Sequence, residues 1–134
     1  MKRIWVTAAV AAGVMSSVAS AAITTTELAY RRIECVIYVR EIVKSLPYGL
    51  TYWADKKRII NSYTCKAGSV AIIQVPSGAA AQYGHMAYVD ACGTTGITIR
   101  EANFRKDTIT RRVATPNILQ AEKELRIVGY WRPK

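Results

Sequence analysis

Three cysteines and a single histidine are the residues of this 134-residue chain best suited to nucleophilic chemistry. The histidine, His85, sits at the mouth of a predicted strand in the run Tyr83-Gly84-His85-Met86-Ala87-Tyr88-Val89. Imidazole titrates near neutral pH and suits proton transfer or metal binding, although many histidines are ordinary half-buried strand residues. A thiol attacks only as thiolate, and a neighbouring imidazole or a helix N-terminus lowers its pKa enough to populate that form. The imidazole must in turn be held in one tautomer by a third group that accepts its other N–H. Cys35, His85 and either Glu101 or Asn103 supply such a set. The reaction it would serve is acyl transfer, with backbone N–H groups near Cys35 stabilising the oxyanion. Each residue also has a bland reading: a packed thiol, a surface carboxylate paired with Arg100 or Arg105, and a turn asparagine.

The other two cysteines, Cys65 and Cys92, flank neighbouring strand patterns, and the odd count leaves at least one thiol free or paired outside the chain. A Cys65–Cys92 disulfide leaves Cys35 free; a bond from Cys35 to either of the others is the competing arrangement. One histidine and three widely spaced cysteines lack the paired spacing of a metal site, so no metal and no cofactor are expected.

Lys2 and Arg3, the apolar run Ile4 to Val14, and the small residues Val18-Ala19-Ser20-Ala21 read as a secretory signal peptide over residues 1–21. Its apolar run is shorter than the roughly 20 residues needed to span a bilayer, and no later segment reads as a membrane span. Export places the protein in the periplasm, outside the cell or at the cell wall, where disulfides persist. Residues 22–134 are then a single small domain of 113 residues. Loss of Lys2 and Arg3 lowers the formal net charge from +10 to +8, still strongly basic. Such a charge favours encounter with an anionic polymer such as the bacterial envelope. Arg31-Arg32, Lys56-Lys57-Arg58, Arg105-Lys106 and Arg111-Arg112 are scattered pairs and runs that read as a solvated face. Nucleic acid is the runner-up partner, but without aromatics interleaved on one basic surface it is not the expected one.

Two helices and then strands must position these residues. Thr24-Thr25-Thr26-Glu27 resembles a capping box, and apolar residues from Leu28 to Leu46 recur at helical spacing, with Cys35, Val39, Ile42 and Leu46 on one stripe. A second helix is predicted from Thr51, as cap, to about Ile60. Strands are predicted at 68–75, 83–89, 97–103, 108–113 and 126–130, with Glu122 to Leu125 open to a helical turn. Helices followed by tightly connected strands predict an α+β domain, its N-terminal helices packed on an antiparallel sheet of about five strands. Strand alternation puts His85 on a face with Ala87 and Val89, and Glu101 and Asn103 on one with Ile97 and Ile99. If those faces cover the helix carrying Cys35, all four candidates converge.

In that order along the chain, the segments resemble the CHAP family, cysteine- and histidine-dependent amidohydrolases and peptidases related to the NlpC/P60 and papain-like fold. Cys35-Val36-Ile37-Tyr38-Val39 is similar to the nucleophile segment and Gly49 to Trp53 to the family's small-residue and tryptophan stretch. Lys66 to Ala71 is similar to the turn into its first strand, Gly84 to Val89 to its histidine strand, Ile99-Arg100-Glu101-Ala102-Asn103 to its Glu-x-Asn segment, and Gly129 to Pro133 to its closing strand. The resemblance implies a papain-like fold and an enzyme that cuts an amide or peptide bond in the stem peptide of peptidoglycan. Cys35 would be the nucleophile, His85 the base and then acid, and Glu101 its orienter with Asn103 assisting. The family's usual proline and acidic residue near the Gly68 turn are replaced by Lys66 and Ser69. Some members bind calcium through an aspartate-rich loop; residues 23–34 contain no aspartate, so no metal requirement follows. The cleft residues suggested are Tyr38, Tyr52, Trp53, Tyr83 and Tyr88, with a core role favoured for Trp53. The alternative is an inactive relative that binds wall peptides, or a basic interaction protein with Cys35 in a disulfide.

Overall fold

A computed structural model of the chain describes residues 20–134; the leader expected at 1–21 falls almost wholly outside the described residues. The fold is α+β, built on one six-stranded antiparallel sheet rather than about five strands. The strands are β1 (Ala22–Tyr30), β2 (Val70–Ile73), β3 (His85–Gly93), β4 (Gly96–Ala102), β5 (Thr108–Thr115) and β6 (Ile127–Trp131), in the order β1-β5-β4-β3-β2-β6. The helices are α1 (Cys35–Ile42), α2 (Trp53–Arg58) and α3 (Ile118–Leu125). Among the described residues no helix is long and apolar enough to cross a membrane.

The extra strand comes from the segment expected to begin the first helix. Ala22 to Tyr30 pairs along β5, from Ala22 opposite Thr115 to Tyr30 opposite Thr108, with the register shifting between Glu27 and Ala29. The β-branched run Ile-Thr-Thr-Thr fits a pleated surface better than a helix turn, and the sheet edge offered by β5 outweighs the local capping pattern. The helix therefore starts only at Cys35 and ends at Ile42, and Val43 to Leu50 continues as an irregular segment that buries Val43, Leu46 and Leu50. In α2 the N-cap is Tyr52, not Thr51; the Tyr52 N–H donates to the Asp55 carboxylate at 3.0 Å. The helical turn allowed at 122–125 is the end of α3, which the Asn117 side chain caps by accepting the Gln120 N–H at 2.9 Å.

Both faces of the sheet are covered. Ala71, Ile73, Ala87, Val89, Ile97, Ile99 and Ala114 form one apolar face under Ala121 and Leu125 of α3. Val70, Ile72, Met86 and Trp131 form the other, under Val39 and Val43 with Leu46 and Leu50. Each large side chain so buried is worth roughly 1.5–3 kcal/mol over exposure, so the two layers dominate stability. This layering corrects the expected packing. The face carrying His85, Ala87 and Val89 is covered by α3, and the helix that begins at Cys35 lies over the opposite, Met86 face. Cys65, ahead of β2, is bonded to Cys92 at the end of β3, Cα to Cα 5.9 Å, which leaves Cys35 free. Closing that loop restricts the unfolded chain by about 3.5 kcal/mol in the chain-entropy picture.

Candidate active site

Cys35 and His85 meet where α1 begins and β3 begins. Cys35 is the first residue of its helix, so the N–H groups of Cys35, Val36 and Ile37 have no acceptor within the helix. His85 is the first residue of β3, and the positive end of α1 overhangs the strand from the Met86 side. The two faces of the sheet do not separate them, because at the strand's first residue both are within reach. Cys35 and His85 line the same cleft, and the His85 imidazole and the Met86 backbone N–H are near enough to the thiol to lower its pKa.

Behind His85 stands a buried polar chain. His85 Nε2 lies 2.9 Å from Glu101 Oε1, which leaves Nδ1 for the thiol. Glu101, fully buried in β4, accepts two parallel bonds from Arg112 on β5: Nε to Oε2 at 2.8 Å and Nη2 to Oε1 at 2.7 Å. Thr110 Oγ1 is 3.3 Å from the same carboxylate. Strand register brings these together, since Glu101 is opposite Thr110 and Ile99 opposite Arg112 in the β4–β5 pair. The Arg112 guanidinium also lies over the Phe104 ring, 3.7 Å from its centroid. Such charge-assisted, bidentate bonds fix both position and charge.

The electrostatics follow. Burial alone would raise the Cys35 thiol, but the His85 hydrogen bond and charge, the Met86 N–H and the Lys56 charge together hold it below its ordinary value. Burial would lower His85; hydrogen bonds and charges from Cys35 and Glu101 outweigh it and raise the imidazole to about 9. Burial opposes ionisation of Glu101 as well, yet His85 and Arg112 keep it below the usual carboxylate range. All three directions favour a thiolate beside an imidazolium at neutral pH. The free-thiol state and the unpaired amides of α1 complete the parts needed for acyl transfer.

Gly84 sets where His85 stands. Its φ is +66°, and the Trp53 ring occupies the place a Cβ would take. Trp53 thus serves packing, as favoured from sequence. A Gly84→Ala change is expected to cost about 1–3 kcal/mol for the left-handed backbone alone, more for the contact with Trp53, and to lower the reactivity of the Cys35 thiol by shifting His85. Denaturant unfolding and thiol reactivity measured on the same variant check both effects.

Not every predicted residue joins the site. Asn103 also lines the cleft, but its φ is +63° and its Oδ1 accepts the Asp107 N–H at 3.1 Å. The asparagine shapes the β4–β5 turn and makes no bond to His85. The cleft itself has a volume of about 910 Å³ and is open beside Cys35 and His85. Of the five aromatics suggested for it, only Tyr83 lines it, stacked on Tyr52 at 5.9 Å; Tyr48 and Phe104 are the other aromatic walls.

No protein-family model, curated protein or solved structure matches this chain. The chemistry of the site is therefore read from its own residues. Two of these, Arg112 and Lys56, were read from sequence as part of a solvated basic face, and that reading is corrected: they are 6% and 2% exposed. A signal for Arg112 was present, because Arg111 and Arg112 adjoin in a strand and must point to opposite faces. In a strand with one covered and one open face, one of the pair is buried and has to be paired, while Arg111 stays exposed. Lys56 carried no comparable signal.

Proposed function

We propose that the protein is an exported thiol hydrolase of peptidoglycan, with a CHAP-type, papain-like site, that cuts an amide or peptide bond of the stem peptide. The observation that carries the chemistry is the free thiol of Cys35 at a helix N-terminus, sharing a cleft with a histidine whose Nε2 is held by a buried carboxylate. The Cys35 thiolate attacks the scissile carbonyl carbon, and the oxygen takes the negative charge under the Cys35 and neighbouring N–H groups of α1. As the C–N bond breaks, the His85 imidazolium gives its proton to the departing amine and a thioester remains. A water then attacks the thioester with His85 as base, releasing the carboxylic acid and restoring the thiolate. Glu101 holds His85 in orientation throughout and stays ionised because Arg112 shares its charge.

The choice of substrate rests on other ground. The ordered resemblance to wall amidases, the secretory leader, the Cys65–Cys92 disulfide and the basic mature chain all suit an anionic wall polymer outside the cytoplasm. The competing arrangement, with Cys35 locked in a disulfide, loses its partners once Cys65 and Cys92 are bonded to each other. Purified sacculi incubated with the mature domain are expected to lose turbidity and release soluble fragments, whose masses identify the bond cut. Intact sacculi after long incubation with fully reduced Cys35 would rule the substrate out.

A further inference from the structure

Lys56 is the one buried lysine among the described residues, at 2% exposure, and it forms part of the cleft wall with Cys35, Leu50 and Thr51. Its Nζ donates to the Leu50 carbonyl at 2.8 Å and the Thr51 carbonyl at 3.0 Å, which uses two of its three N–H groups. No carboxylate among the described residues comes within ion-pair distance. Bracing two carbonyls needs only two donors, which a neutral glutamine amide supplies. A buried ammonium is a costly way to do it unless an anion arrives. The nearby acids are otherwise placed: Asp55 is bonded to the Tyr52 N–H and Arg58, and Glu34 is exposed.

We infer that Lys56 is the anchor for a carboxylate carried by the bound peptide next to its scissile amide, an assignment that rests on the hydrolase reading above. The oxyanion itself has the N–H groups of α1, so the remaining ammonium donor is available for a second anionic group. The reaction adds a reason. While Cys35 is a thiolate, it offsets the Lys56 charge across the cleft; once the thioester forms, that anion is gone. A substrate carboxylate beside Lys56 keeps the cation compensated through the acyl-enzyme stage. The ligand class is therefore an anionic peptide, read at one carboxylate, rather than any exposed amide.

The test uses synthetic muropeptides, stem peptides still joined by their amide to N-acetylmuramic acid, with every carboxylate free, and the same compounds with each carboxylate amidated in turn. For the wild type, one amidation is expected to lower kcat/KM by about tenfold to a hundredfold, chiefly through KM, as for loss of one hydrogen-bonded charge. Lys56→Gln keeps two donors for Leu50 and Thr51. It should lose more on the free peptide than on the amidated one, by that same factor, so that the preference disappears. Equal losses of kcat on all the peptides would overturn the inference and assign Lys56 to the thiolate instead. Indifference of the wild type to every amidation would overturn it without any variant. Cleavage of no peptide, free or amidated, defeats the hydrolase reading and the inference with it.

Discussion

Replacing Cys35 with alanine is expected to lower the release of soluble peptides from sacculi by more than about a thousandfold. Every covalent step runs through Sγ, and no other thiol is free, because Cys65 and Cys92 are bonded to each other. His85→Ala should fall as far, since a buried thiol deprived of its imidazole keeps only Lys56 and the Met86 N–H to oppose burial. The double variant should be no worse than either single one, because the two groups act as a unit. Steady-state assays of the three variants, with unfolding curves to show that each is native, measure this. A Cys35→Ala protein that still solubilises sacculi would remove the thiol from the mechanism.

The second large effect separates stability from activity. Arg112→Leu strands the Glu101 carboxylate, which is fully buried and otherwise bonded only to His85 and Thr110. Breaking a buried pair from one side is expected to cost about 3–5 kcal/mol. The paired change Glu101→Leu with Arg112→Leu removes both charges and should recover most of that stability. It should not recover activity, because His85 is then left without the group that fixes its tautomer. Denaturant unfolding and sacculus hydrolysis on the same three proteins distinguish the outcomes. If the double variant works as well as the wild type, the carboxylate holds the fold and not the histidine.

How far the sequence leads can be seen residue by residue. His85 stands out as the single histidine, and strand alternation puts it on the same face as Glu101, because a strand has only two faces. Their meeting with Cys35 was expected for a different reason from the one that operates. The apolar face of His85 lies under α3, whereas α1 covers the Met86 face and reaches His85 only at the first residue of β3. Alternation fixes the face of a side chain but not which helix will lie on it. The first strand differs from the expected helix start because Thr24 to Glu27 is compatible with both a helix cap and a β-branched edge, and only pairing with β5 decides between them. Asn103 was grouped with Glu101 by the same alternation, but the chain turns there, and beyond the last ladder pair at Ala102 alternation no longer applies. Lys56 stayed hidden because a Lys-Lys-Arg run on a short helix gives no hint of which member turns inward.

The most direct measurement is the rate of Cys35 alkylation by iodoacetamide as a function of pH, in the wild type and in His85→Ala. With the thiol held below its ordinary value and His85 raised to about 9, the wild type should react well into the acid side of the free-thiol range. Its rate should change again only as the imidazolium loses its proton near that upper value. In His85→Ala the imidazolium is gone, burial dominates, and the titration should move above that of a free thiol. A wild-type profile that coincides with an ordinary cysteine, or that is unmoved by loss of His85, would contradict the thiolate–imidazolium pair on which the proposed chemistry depends.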